Sequence, residues 1–193
     1  MLQIRNSEYI VEEITTQIQV MLKEKAFAVV AIDGRCAAGK TTLAARLQEK
    51  LDCNVIHADE FFLRPRQRTA DRLATPGGNV DYERLFKEVM LPLKENRDFA
   101  YRPYDCKMGS LKEPIQVNTR KITIIEGSYS CHPKLWDYYD LRIFMTIEER
   151  LQKERIKERN KAVAEVFFQK WIPLEEAYFK AYAIAERCDI RIE

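Results

Sequence analysis

At 193 residues, with 46% hydrophobic and 32% charged side chains, the chain is long enough for one α/β domain with a full core. Its 32 basic and 30 acidic residues leave a net charge of +2, too little to argue for nucleic acid or an anionic membrane as partner. No run approaches the ~20 apolar residues of a membrane span; the first residues lack a signal peptide's apolar core, and five cysteines without a Cys-x-x-Cys pair point to free thiols in a reducing cytoplasm.

An N-terminal helix is expected within residues 1–25, where Ile10, Val11, Ile14, Ile18, Met21 and Leu22 recur at helical spacing and Ser7 is placed to cap it. Phe27-Ala28-Val29-Val30-Ala31-Ile32 then reads as a buried parallel strand. It leads into Gly34-Arg35-Cys36-Ala37-Ala38-Gly39-Lys40-Thr41-Thr42, which contains Gly-x-x-x-x-Gly-Lys-Thr. Glycines at 34 and 39 let the backbone turn its N–H groups around an anion, so the whole run 34–42 is a candidate nucleotide-binding loop. Lys40 is suited to bridge terminal phosphates and the Thr41 hydroxyl to ligate magnesium. Leu43, Leu47 and Leu51 mark an amphipathic helix whose positive end faces the same phosphates. ATP and Mg2+ are the expected cofactors. Cys36 is either a small residue that fits the loop or a thiol whose oxidation would block it.

A short strand at Asn54–His57 precedes Asp59-Glu60-Phe61-Phe62. Ligands of open parallel sheets sit beyond the carboxyl ends of the strands, which makes Asp59 a candidate catalytic base. Phe62 is a candidate for stacking on a substrate, with core packing as the alternative. Residues 63–80 hold Arg64, Arg66, Arg68 and Arg72 among prolines and glycines and read as a mobile substrate-side loop whose arginines are suited to meet anions, Arg64 being the substrate candidate, with a solvated loop of scattered charges as the alternative. A helix follows from Asp81, capped by Asn79 or Asp81, its end blurred by Pro92.

Residues 99–118 suggest a hairpin flap around Gly109, with Tyr104 and Asp105 as substrate-facing candidates or as structural edge residues. Lys121–Gly127 is a second buried strand, ending in Glu126, an acid placed to orient magnesium. His132, in the loop beyond, is a candidate substrate contact or an ordinary loop residue. A strand at 140–147 precedes a charged helix at 148–160, where Arg155 and Arg159 share a face that could close over a triphosphate. Surface pairing with nearby glutamates is the alternative. Helical sequence with Pro173 opening a new helix, then a last strand at 188–192, completes the chain.

No Asp has a Gly three residues on, and Asn160-Lys161 is followed by Ala-Val, so the switch and base-reading motifs of a GTPase are missing. A single small-molecule kinase domain fits best: an α/β three-layer P-loop sandwich with a mainly parallel sheet, helices on both faces and a small lid and flap. A nucleotide-dependent regulatory module without an acceptor is the alternative.

Gly34 to Thr42, Asp59-Glu60-Phe61-Phe62, Tyr101 to Asp105, Ile125-Glu126-Gly127 and the Arg155-x-x-x-Arg159 helix resemble the uridine kinase and phosphoribulokinase group over about residues 27–160. The resemblance implies transfer of the ATP γ-phosphate to a hydroxyl of a nucleoside such as uridine, or of nicotinamide riboside, pantothenate, a sugar phosphate or glycerate. It implies Asp59 as the activating carboxylate, Glu126 as the acid near magnesium, Tyr104 close to the substrate, and Arg155 and Arg159 as phosphate-closing groups. The sequence leaves the oligomeric state open, a homo-oligomer included.

Overall fold

The computed structural model describes residues 7–159 and 161–193. In chain order its strands are β1 (Ala28–Gly34), β2 (Cys53–His57), β3 (Phe99–Tyr101), β4 (Tyr104–Asp105), β5 (Ser110–Leu111), β6 (Ile115–Val117), β7 (Ile122–Glu126), β8 (Leu141–Met145) and β9 (Ile190–Ile192). Five of them form one sheet in the order β2-β7-β1-β8-β9, every neighbour parallel. β1 and β7 are buried along their whole length, as continuous apolar runs covered on both faces must be.

Alternate side chains of β1 split the core into two layers. Val30 and Ile32 face the N-terminal helix Ser7–Met21 and the phosphate-loop helix Lys40–Lys50, packing with Ile14, Ile18, Leu43 and Leu47. Val29 and Ala31 face the other way, onto Leu85, Val89, Tyr178 and Phe179. This is the expected three-layer sandwich. The helix begins at Ser7 itself, so its cap position falls outside the described residues.

Two helical runs carry a proline without breaking. A π-turn at Phe86–Met90 precedes Leu91–Lys94, which holds Pro92, and another at Phe167–Trp171 precedes Ile172–Tyr182, which holds Pro173. Proline lacks the amide for the usual helical bond, and the wider turn absorbs the misfit. Asp81 caps the first run, accepting the Arg84 amide.

Residues 63–80 are less irregular than composition suggests, since they contain the short helix Ala70–Ala74, capped by Thr69. The flap forms two antiparallel pairs, β3 with β6 and β4 with β5, around Gly109 at φ 66°. Tyr101 ties it to the main body by stacking on Phe61 at 5.3 Å and donating to Glu60 Oε2 at 2.7 Å.

Candidate active site

Strand register brings the chemistry to one edge of the sheet. Ile32 of β1 and His57 of β2 both lie level with Glu126 of β7. The phosphate loop leaves β1 just beyond that level. Gly34, Ala37 and Gly39 have φ of 133°, 61° and 100°, so the loop coils through conformations that L-residues other than glycine seldom adopt. Gly39 starts the phosphate-loop helix with no side chain capping it. The amides of Ala37, Gly39, Lys40, Thr41 and Thr42 donate to no protein group among the described residues, which leaves a nest of N–H groups at the positive end of an 11-residue helix.

The rest of the predicted loop is engaged internally. The Arg35 amide donates to Met145 O at 3.0 Å and the Ala38 amide to Arg35 O at 3.2 Å. Arg35 turns its side chain away from the nest, onto Glu176 (2.6 and 3.0 Å) and Thr146. The Cys36 amide donates to Glu175 Oε2 at 3.1 Å. Lys40 arches over the loop, its Nζ donating to Gly34 O at 2.7 Å, Arg35 O at 2.9 Å and Ser128 Oγ at 3.4 Å. Burial, reinforced by Glu175, pushes the Cys36 thiol up to about 12, which makes it a poor nucleophile.

A cleft of about 1140 Å³ runs along this edge, lined by the loop from Cys36 to Thr42 and by Asp59, Phe62, Arg68, Glu126, Arg155 and Arg159. Asp59 opens onto it from the turn after β2. The crowded walls desolvate this carboxyl and raise its pKa, opposed chiefly by Lys40. Gly127 makes the close approach possible, because a Cβ there would lie 3.2 Å from Asp59 Oδ1. Arg155 Nη1 donates to Ala37 O at 3.0 Å, so the helix Glu149–Arg159 touches the phosphate loop.

Thr41 Oγ1 donates to Glu126 Oε1 at 3.1 Å, and His57 Nδ1 lies 2.5 Å from the same oxygen. The Glu126 carboxylate raises the His57 pKa. Two adjacent hard oxygen donors suit magnesium, which commonly takes one or two protein oxygens and fills its remaining positions with phosphates and water. The described residues hold no cluster of three or more His, Cys, Asp or Glu side chains for a metal, so a magnesium here would depend on the nucleotide for other ligands.

Three sequence candidates lie elsewhere. His132 is buried, stacked on Tyr82 at 4.0 Å, and burial lowers its pKa to about 4; it belongs to the aromatic core. Arg64 bonds Gln67 at 2.9 Å and borders a separate groove with Asp81 and Arg84. Tyr104 is buried in β4 and does not line the cleft, because its ring packs into the flap near the Arg68 guanidinium, 5.9 Å away. Conversely, Glu175 and Ser128 line the cleft without having been singled out for it, and of the four arginines in residues 63–80 it is Arg68 that does so.

No protein-family model matches the chain. A possible uridine kinase from Bacillus stearothermophilus superposes with a TM-score of 0.69 at 18% identity, over 94% of this chain and 100% of that one. The fold is that of a P-loop kinase. A second structure with this P-loop kinase fold, a candidate fructose transport system kinase from Silicibacter sp. TM1040, matches at TM-score 0.67 and 21% identity, over 92% of this chain and 97% of its own. At such identities the likeness establishes architecture alone. None of the helices among the described residues is long and apolar enough to cross a membrane.

Proposed function

We propose that this chain is an ATP-dependent kinase that transfers the γ-phosphoryl group to a hydroxyl of a small molecule. The observation that carries the reading is the placement of Asp59 in the same cleft as the unpaired loop amides and Lys40. A pure nucleotide switch has no use for a desolvated carboxyl on the acceptor side.

Phosphoryl transfer is mostly positioning and charge neutralisation. The amides of Ala37 and of Gly39 to Thr42 bind the phosphate oxygens, and Lys40 moves from the loop carbonyls onto the terminal phosphates. Arg155 and Arg159, both on the cleft wall, neutralise charge that spreads over the transferring group. Asp59 accepts the proton of the attacking hydroxyl, and its raised pKa brings it nearer the working pH of a general base. Thr41 and Glu126 would hold magnesium, which would supply further charge neutralisation to the transferring group. Phe62 lines the acceptor side as an apolar wall.

The motif resemblance suggests a nucleoside such as uridine as acceptor, with nicotinamide riboside, pantothenate, a sugar phosphate and glycerate as the other classes. ADP release measured with and without such a panel, scored for phosphorylated product, tests the reading. Acceptor-stimulated release supports it; nucleotide binding without stimulation by any acceptor would favour a regulatory module. A cytoplasmic location, possible self-assembly and the absence of nucleic acid as a partner complete this reading.

A further inference from the structure

Four arginines around the acceptor side are taken up by protein partners. Arg64 bonds Gln67, and Arg72 holds Glu83 with both terminal nitrogens, at 2.6 and 2.7 Å. Arg84 donates to the carbonyls of Glu60 and Arg102, and Arg102 to those of Leu111 and Lys112. Arg66 does not line the cleft.

Arg68 differs from all of these. It lines the cleft together with Asp59, Phe62, Asn79 and Cys106. Its Nε donates to Leu63 O at 2.9 Å, which tethers the guanidinium, while neither Nη has a hydrogen-bond or ion-pair partner among the described residues. A tethered guanidinium with two unpaired N–H₂ groups is half of a bidentate anion site. The triphosphate already has Lys40, Arg155 and Arg159, so Arg68 is not needed there. It forms no ion pair with a carboxylate among the described residues, and Asp59 is the one carboxylate between residues 59 and 106 that lines the cleft.

We infer that the acceptor carries an anionic group, a phosphate or a carboxylate, and that Arg68 receives it while Asp59 faces the reacting hydroxyl. This rests on the kinase reading above and narrows it. A neutral nucleoside such as uridine offers Arg68 nothing to bind, and nicotinamide riboside brings a positive charge towards it.

Matched acceptors test this: ribose 5-phosphate against ribose, glycerate against glycerol, and pantothenate against its uncharged alcohol, with uridine alongside. The expected result is a preference of roughly tenfold or more in kcat/KM for the charged member of at least one pair, the productive pair telling phosphate from carboxylate. Arg68→Gln should raise KM for that acceptor by about tenfold or more while KM for ATP stays within about twofold, and Arg68→Lys should recover part of the loss. Melting temperatures of both variants without ligand check that the 63–80 segment stays folded; if Arg68→Gln does not fold, Arg68→Lys carries the test. Turnover of neutral acceptors alone, or an unchanged acceptor KM in the Arg68 variants, overturns the inference and leaves the kinase reading standing. If nucleotide binds but no acceptor of either kind releases ADP, both fall together.

Discussion

Glu175 accepts the Cys36 amide at 3.1 Å with one carboxylate oxygen and the Ser128 hydroxyl at 2.7 Å with the other. The helix Ile172–Tyr182 thereby places a buried carboxyl inside the loop proposed to hold phosphates, and desolvation raises its pKa against the pull of Lys40. An ionised carboxylate there repels incoming phosphate. Glu175→Gln keeps the shape and removes the charge, so it should tighten ATP binding by about threefold to tenfold in calorimetric titration. Weaker binding would mean that the tether to Cys36 matters more than the repulsion.

The division of labour between donor and acceptor predicts two distinct phenotypes. Lys40→Ala should abolish transfer and weaken ATP binding together. Asp59→Asn should still bind ATP while kcat falls by about 10²- to 10⁴-fold, the usual contribution of a general base. Single-turnover product formation separates the cases, and wild-type turnover by Asp59→Asn would remove it from the mechanism.

The stacked imidazole of His132 should make the protein acid-sensitive. Its pKa falls from 6.5 to about 4 through burial, with Arg72 as a secondary cause. A depressed folded-state pKa contributes stability that is complete above about 6.5 and is lost as pH falls towards 4, because the unfolded chain takes up the proton first. The loss at full protonation is on the order of 3 kcal/mol. Urea unfolding of His132→Phe across pH 7 to 4 should give a flatter acid arm than the wild type, and parallel profiles would contradict this origin.

Glycines in the loop should not be equivalent. A Cβ on Gly34 would lie 2.0 Å from Met145 O, a backbone atom of the paired strand β8, whereas on Gly39 the nearest atom is Met145 Cε at 3.8 Å. Gly34→Ala should therefore cost more than about 3 kcal/mol, and Gly39→Ala only the roughly 1–2 kcal/mol of an unfavourable φ. Denaturant midpoints of the two variants would show the gap.

What the sequence revealed follows from how each signal is encoded. β1 and β7 were legible because strands buried on both faces read as unbroken apolar runs, Glu126 because it closes such a run at the ligand-bearing edge, and Asp59 because it follows the short, partly buried strand β2 at that same edge. Glu175 was not legible: it meets Cys36 across 139 residues, and nothing in local spacing encodes that contact. The loop candidates His132, Arg64 and Tyr104 share another cause. Residue type made each chemically suitable, but the direction of a loop side chain is set by its packing, here against Tyr82, Gln67 and the flap. Arg68 stood among four similar arginines, and what distinguishes it is its place on the cleft wall with both terminal nitrogens unpaired among the described residues.

Asp33 is fully buried, and its carboxylate accepts from the amides of Gly34, Tyr129 and Cys131 and from the Tyr178 hydroxyl, between 2.6 and 3.1 Å. One side chain thus rivets the first turn of the phosphate loop, the turn after Glu126 and the helix Ile172–Tyr182 into a single block. Opening any one of them would strand a charge or a donor away from water. The floor of the cleft is in this sense an anvil, held in one piece by a single side chain.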